Sequence, residues 1–447
     1  MHVSKYTFLF DYEGNEYYVY NSLSNALIEI DKESYDILIE KKKTKNCIQK
    51  LDLDEELHQV LSDNGILTLN DKDDFLRYKS IIMGQRMQQK AMHLTIAPTM
   101  DCCFQCHYCF EEYKEKGVMS PDTMDSIIQY VIDVKQPERI DLTWFGGEPL
   151  MAVAQIESFY NKIKLKYKGP ILSNMITTGF HLSPEIINAI KSVEVREIQI
   201  TLDGMRETHN KVKHVAGVKD VFQKVIDNIL LLMKLAPDIF IVIRVNLTKS
   251  NANEYVELCY YLYELFKGRT NFVIAPAFVL DRGVSSQSST SSELFNHKER
   301  SEYILELTTK HNLDSPFIRY PHRFFNECAI RNDMAISFDA QGYAYKCWEL
   351  IGNKKFAIGK IDSQGLLAEI NLVNFNRQTY GADHLDDQKC IKCDHMPICN
   401  GGCPIQRIQN EYEDGKNCLC VPQKGYLIDF LRLHIAFKKA GYHNRIL

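Results

Sequence analysis

No apolar stretch in this 447-residue chain is long enough to span a bilayer; the most apolar run, IFIVIRVNL at 239–247, is short and interrupted by Arg244. Membrane insertion is therefore not expected. The opening residues, MHVSKYTFLFDYEGNEYY, lack an apolar h-region. That disfavours export and makes a cytoplasmic location the expectation. Surplus charge is also missing: the net value is −5, so nothing favours a phosphate backbone, and nucleic acid is not an expected partner. No internal repeat is visible. Cysteine, by contrast, is abundant, at 14 residues. In a small secreted domain that number would suggest disulfides, but here the cysteines form two tight clusters in a long chain expected to be intracellular, which favours metal or cluster ligation.

An apolar content of 45% and a charged content of 25% are ordinary for a globular protein. The length implies two to four domains. Three short strands, TFLFDY, EYYVYN and NALIEID, precede helical patterns at about 32–41 and 54–64, a small β-plus-helix module. From Leu94 to about Val279, the β-rich runs LTIAP, RIDLTWFG, ILSNMITT, EIQITLD, IFIVIRVNL and FVIAPAFV alternate with amphipathic helices. That alternation predicts parallel βαβ units in a partial barrel or a wide open sheet. Ser120-Pro121 and Ser183-Pro184 each place an N-cap before proline at the first helical position. A Ser-rich stretch, SSQSSTSS at 285–292, is either a plain linker or an active-site lid. An amphipathic helix, GYLIDFLRLHIAFKKA, closes the chain.

Cys102, Cys106 and Cys109 directly follow the strand LTIAP in a C-x3-C-x2-C loop. Three thiolates at the carboxyl end of a strand suit an iron–sulfur cluster with one open iron, able to chelate a small molecule and pass it an electron. The plainer alternative is a zinc site lacking its fourth ligand. Cys103 reads as structural. Together with Trp144-Phe145-Gly146-Gly147-Glu148-Pro149 at the end of the next strand, this loop resembles the radical S-adenosylmethionine (SAM) superfamily across about 94–280. The resemblance implies a 4Fe-4S cluster, SAM as cofactor and a partial (β/α)6 TIM-like barrel. It also implies that Gly146, Gly147, Glu148 and Pro149 meet the methionine end of the cofactor, with Glu148 accepting hydrogen bonds from its ammonium group, and that Tyr108 contacts the adenine. Thr201-Leu202-Asp203-Gly204 with His209-Asn210 resembles the family's S-L-D-G…H-D segment and implies that Thr201 helps bind the cofactor. Thr177-Thr178-Gly179 resembles T-N-G. Arg244, within an apolar strand, is expected to need an anionic partner, either the cofactor carboxylate or a structural acid.

The C-terminal third contains Cys328, then Gly342-x4-Cys347, then Cys390-x2-Cys393-x5-Cys399-x3-Cys403, then Cys418. This resembles the SPASM domain, and the resemblance implies two auxiliary 4Fe-4S clusters, for three clusters in all. Cys390, Cys393, Cys399 and Cys418 would hold one; Cys328, Cys347 and Cys403 would hold the other, whose fourth ligand is His322, a substrate thiolate or none. Taken alone, 390–403 also fits a zinc knuckle.

The first 75 residues resemble the winged-helix peptide-recognition domain of peptide maturases, which binds a leader peptide as an added strand. The expected organisation is a winged-helix-like recognition domain at 1–78, the radical SAM partial barrel at 90–284, the SPASM domain at 310–425 and a C-terminal helix at 426–447. The expected activity is hydrogen abstraction from a ribosomally made precursor peptide, forming a thioether or carbon–carbon crosslink. Its partners are the leader-bearing peptide and an external one-electron donor of flavodoxin or ferredoxin type. The competing reading is an anaerobic sulfatase maturase making formylglycine; a non-catalytic iron–sulfur or zinc protein is the third. Sulfatase maturases resemble a pattern with Asp after G-x4-C, where this chain has Trp348-Glu349, leaving Glu349 as the candidate base.

Overall fold

The computed structural model describes residues 1–49, 51–87, 90–106, 108–109, 115–280, 293–313, 320–321 and 328–440. His322 and the Ser-rich stretch lie outside the described residues. The chain opens with β1 (His2–Val3), followed by β2 (Thr7–Tyr12), β3 (Glu16–Asn21) and β4 (Leu27–Ile30), which form an antiparallel sheet in the order β2-β3-β4. Next come α1 (Lys32–Thr44), capped by the Asp31 carboxylate, and α2 (Glu55–Asp63), capped by Asp54. A strand β5 (Leu67–Thr68) returns to pair with β1, and α3 (Asp71–Met87) leads out of the module. The three long strands and first two helices match the expectation. The β1–β5 ribbon and α3 were not anticipated, since two-residue strands carry no periodicity.

Side chains alternate across the three-stranded sheet, so it has two buried faces. Val19 and Ile30 pack with Leu38 and Leu61 of the two helices. Phe10, Tyr18 and Tyr20 point the other way, where the end of the chain covers them.

The central part alternates as the sequence predicts. The strands β6 (Ala91–Ile96), β7 (Arg139–Trp144), β8 (Ile171–Thr177), β9 (Val195–Leu202), β10 (Phe240–Leu247) and β11 (Phe272–Phe278) lie parallel and in sequence order. Between them run α4 (Pro121–Gln129), α5 (Val153–Lys166), α6 (Pro184–Ser192), α7 (Arg206–Val212), α8 (Val221–Leu235) and α9 (Ala252–Leu265). Ser120 and Ser183 cap α4 and α6, with proline in the first turn of each. A π-helical turn, Tyr130–Lys135, continues α4.

Beyond α10 (His297–Thr309), the strand β12 (Ala335–Phe338) pairs parallel with β6 on its open side. The strands β13 (Tyr343–Tyr345), β14 (Gly359–Ile361) and β15 (Leu367–Ala368) then add antiparallel, giving one ten-stranded sheet. The cysteine-rich segment is thus a continuation of the barrel's sheet. Short helices follow: α11 (Leu372–Thr379), α12 (Gln388–Ile391), α13 (Met396–Cys399) and α14 (Pro404–Tyr412). The last helix, α15 (Leu427–Lys439), packs Leu427, Leu431 and Ile435 onto Phe10, Tyr18 and Tyr20 of the N-terminal sheet.

Candidate functional site

Because β6 to β9 are parallel, every motif read from the sequence reaches one rim, beyond the carboxyl ends of the strands. The loop after β6 holds Cys102, Cys106 and Cys109, and the loop after β7 holds Phe145–Pro149. Main-chain bonds join the two loops: Phe145 N–H donates to Ile96 O at 2.9 Å, Gly147 N–H to Thr99 O at 3.2 Å, and Glu148 N–H to Asp101 O at 2.8 Å. A Cβ on Gly146, at φ +114°, would lie 2.4 Å from Thr99 O; one on Gly147 would lie 2.4 Å from the carbonyls of Met100 and Asp101. The glycines therefore admit the backbone of the cysteine loop itself.

Glu148 is fully buried at 0% exposure, and its carboxylate accepts from Leu150 N–H at 3.0 Å, Thr177 Oγ1 at 2.6 Å, and the N–H (2.8 Å) and hydroxyl of Thr178. These four protein donors pin the β7 and β8 loop ends together through it. Thr177-Thr178-Gly179 supplies three of those donors, and Asn228 holds the carbonyls of Gly179 and Phe180 at 2.8 Å each.

A buried charge pair, not anticipated from the sequence, lies beside the cysteine loop. Lys213, just past α7, meets Asp203 at the end of β9 at 2.6 Å, with side-chain exposures of 3% and 2%. The Tyr108 hydroxyl donates to Asp203 and lies 3.3 Å from Lys213 Nζ, and Asn246 donates to Tyr108 at 3.2 Å. Burial works against both charges, but each outweighs it for the other. Asp203 stays below the usual carboxylate range, and Lys213 rises above its ordinary value with help from Cys106 and Cys102. Burial and the Asp203 charge push the Tyr108 phenol well up. His209, fully buried, is lowered to about 3 by burial and by Lys213; as a neutral ring it accepts from Asp203 N–H at 3.3 Å through Nδ1. Asn210 instead bonds Phe222 N–H and Asp220 at the start of α8, a structural role.

Arg244 also requires correction: it is exposed. Period-2 alternation buries Ile241, Ile243, Val245 and Leu247 and turns Arg244 onto the opposite face of β10, beside Asn246, whose Oδ1 accepts from Nε at 3.0 Å. The run looked continuous because Val242 shares that face. Thr201 is the register partner of Arg244 on β9 and half-buried, so the two candidate cofactor residues lie side by side.

In the C-terminal segment, Cys328, Cys347 and Cys403 come together: burial raises the thiols of Cys328 and Cys347, the first raised further by Cys403 and Glu349, the second by Glu349, Cys328 and Cys403. Glu349 thus stands at this cysteine site, in the 3-10 turn Trp348–Leu350. Trp348 stacks on Phe145, with ring centroids 6.3 Å apart at 29°, linking the turn after Cys347 to the loop after β7.

The second set contains Cys390, Cys393 and Cys399. Burial and then Cys420 raise the Cys399 thiol, and its Sγ lies 4.0 Å from Leu419 O. Cys420 therefore stands by Cys399, whereas the expected Cys418 is exposed and lies near Arg300. Both cysteines satisfy the sequence gap, which is why spacing did not separate them. Cys393, Asp394 and His395 offer ligand atoms within 4.8 Å of one another.

The family model described as "Radical SAM superfamily" matches residues 96–260. The chain carries a radical SAM domain. The family implies a 4Fe-4S cluster and SAM. The loop cysteines suit a cluster: Cys102 and Cys106 lie near the buried Lys213 cation, which offsets thiolate charge. Among relatives of this chain, a cysteine-type anaerobic sulfatase-maturating enzyme of Clostridium novyi is 22% identical, covering 73% of this chain and 91% of its own length. The radical SAM cyclopropyl synthase TigE of Paramaledivibacter caminithermalis is 20% identical, covering 92% and 90%. The solved structure of anSMEcpe with bound AdoMet superposes with a TM-score of 0.58 at 17% identity, covering 78% of this chain and 98% of that one. Streptococcus suis SuiB bound to its precursor peptide SuiA gives 0.51 at 14%, covering 94% and 99%. These structures share the fold, that of SPASM-type radical SAM enzymes. No helix among the described residues is long and apolar enough to cross a membrane.

Proposed function

We propose that this enzyme matures a leader-bearing peptide, forming a thioether or carbon–carbon crosslink. The observation that carries the reading is the state of the N-terminal sheet's two edges. The outward carbonyls of β2 are taken by cations: Lys42 Nζ donates to Thr7 O, and Arg432 Nε donates to Asp11 O at 2.9 Å. The other edge, β4, pairs with no further strand among the described residues. Asn21 N–H donates to Ala26 O, so in the antiparallel ladder Ile28 and Ile30 face β3 while Leu27 and Glu29 turn their N–H and C=O outward. Among the described residues nothing bonds those groups. An extended peptide adding to β4 would complete a four-stranded sheet.

SuiB, solved with a precursor peptide, matches nearly the whole chain, whereas the anSMEcpe fold leaves about a fifth of it over. Both alignments support a peptide-directed enzyme with an added module. The cluster and SAM, when bound, supply one-electron reductive cleavage to a 5'-deoxyadenosyl radical. The chain's own residues do the rest: Tyr108, Asp203, Lys213 and Asn246 hold the cysteine loop against the rim, while Thr201 and Arg244 line the face where a cofactor would be oriented. Cys328, Cys347 and Cys403 would hold one auxiliary cluster, and Cys390, Cys393, Cys399 and Cys420 a second. Glu349, beside the first set, is placed to hold a proton near it.

The sulfatase-maturase relatives favour a second reading, formylglycine formation. Mass spectrometry separates the two. Reduced enzyme with SAM and a leader-bearing, cysteine-containing precursor peptide is expected to remove a pair of hydrogens and leave a crosslink; an aldehyde product on a sulfatase peptide would favour the alternative.

A further inference from the structure

The two C-terminal cysteine sets differ in the charge fixed around them. Arg407, on α14, is buried to 5% exposure. Its Nη1 lies 3.5 Å from Cys390 Sγ and 3.1 Å from Gly401 O, its Nε 2.8 Å from Ala382 O, and its Nη2 2.7 Å from Asp387 Oδ2. Four partners hold the guanidinium in one orientation, with an N–H aimed at sulfur. Lys424 Nζ lies 3.4 Å from Cys420 Sγ. The His395 ring, paired through Nδ1 with Asp394, stands by Cys393. Two acids oppose them: Asp387, whose Oδ2 lies 3.5 Å from Cys390 Sγ and is itself paired with Arg407, and Asp394, paired with His395.

At the other set, Glu349 adds negative charge to both Cys328 and Cys347, while Arg331 and Lys346 act as cations on Cys328. Backbone carbonyls hold both cations: Arg331 donates to Thr379 O at 3.2 Å and Ala382 O at 3.1 Å, and Lys346 to Asn332 O at 2.6 Å and Ala335 O at 2.9 Å. A fixed cation donating to a ligand sulfur stabilises the reduced, more negative state of an iron–sulfur cluster, and a carboxylate disfavours it.

We propose that Arg407 and Lys424 raise the reduction potential of a cluster held by Cys390, Cys393, Cys399 and Cys420. This rests on the auxiliary-cluster reading above. Arg407 and Lys424 are positioning residues in this scheme. They touch the sulfur ligands and not the substrate.

The test is a stepwise anaerobic reduction of the reconstituted full chain, followed by electron paramagnetic resonance, with the C-terminal signal assigned by its loss or change in Cys390→Ala. At a fixed potential, Arg407→Gln is expected to lower that cluster's reduced-to-oxidised ratio about tenfold, about 59 mV for a one-electron couple. The effect is large because Asp387 is left facing the sulfur alone. Lys424→Gln, a surface change that leaves the core intact, is expected to lower the ratio by a smaller factor. The other clusters should not move. Unchanged ratios in both variants with iron retained, or an equal shift in every cluster, would overturn the proposal. If Arg407→Gln loses its iron, the Lys424→Gln titration decides. A Cys390→Ala variant with the iron content and signals of the unsubstituted protein would instead overturn the cofactor reading itself, before either of the other variants is measured.

Discussion

Lys213 and Asp203 illustrate how one residue pair carries both stability and placement. Each charge is out of water and is compensated by the other, so removing one leaves the other stranded. Lys213→Met is expected to cost about 3–5 kcal/mol, read by urea unfolding. Adding Asp203→Asn to Lys213→Met is expected to recover much of that loss; no recovery would mean that the pair is not what holds this corner. His209 gives a pH signature. Its folded value of about 3 lies below the ordinary 6.5, so the unfolded chain takes up a proton that the folded chain refuses. Its contribution is full above about pH 6.5 and declines as pH falls toward 3, by about 1.4 kcal/mol per unit at most. Unfolding free energy measured from pH 7 down to 4.5 should show that slope, flattened in His209→Gln. An identical slope in the variant would remove His209 from the account. Lys213 was not legible in the sequence because it sits ten positions after Asp203, brought back only by the short α7. Arg244 was misjudged for the opposite reason: its neighbours in sequence are apolar, but they lie on the other face.

Strands and loops set the next level. The edge of β4 makes a prediction that the barrel does not share. Glu29→Pro removes an outward N–H without touching a bond to β3, a position where proline is tolerated. It is expected to weaken binding of the leader-bearing peptide, measured by titration, while peptide-independent release of 5'-deoxyadenosine is unchanged. Full-strength binding in Glu29→Pro would place the leader elsewhere. Main-chain bonding between the loops after β6 and β7 explains why the two most telling motifs lie next to each other in space. The strand-end position of each motif was readable from the alternation of β-rich and amphipathic segments. The contacts that fill Gly146, Gly147 and Glu148 were not, since they come from the protein's own loop and threonines.

Across the whole molecule, one sheet runs from β11 through the radical SAM strands into β15, and α15 returns the end of the chain to the first sheet. The sequence marks the cysteine-rich segment as separate by composition; β12 shows it to be bonded to β6. Shared hydrogen bonds and a shared apolar core predict that barrel and C-terminal strands unfold in one calorimetric transition. Two resolved transitions would show them to be independent. Cys418 and Cys420 mark the limit of spacing as a guide. Two residues apart in an irregular segment, they differ in exposure and in that Cys420 stands by Cys399.

The proposed chemistry requires that Cys102, Cys106 and Cys109 hold the cluster at which SAM is cleaved. Its most direct test is chromatographic measurement of 5'-deoxyadenosine from anaerobically reconstituted, reduced enzyme supplied with SAM. Steady release that is abolished in Cys106→Ala is the predicted result; release undiminished by that substitution, or none from an iron-replete enzyme, would contradict it.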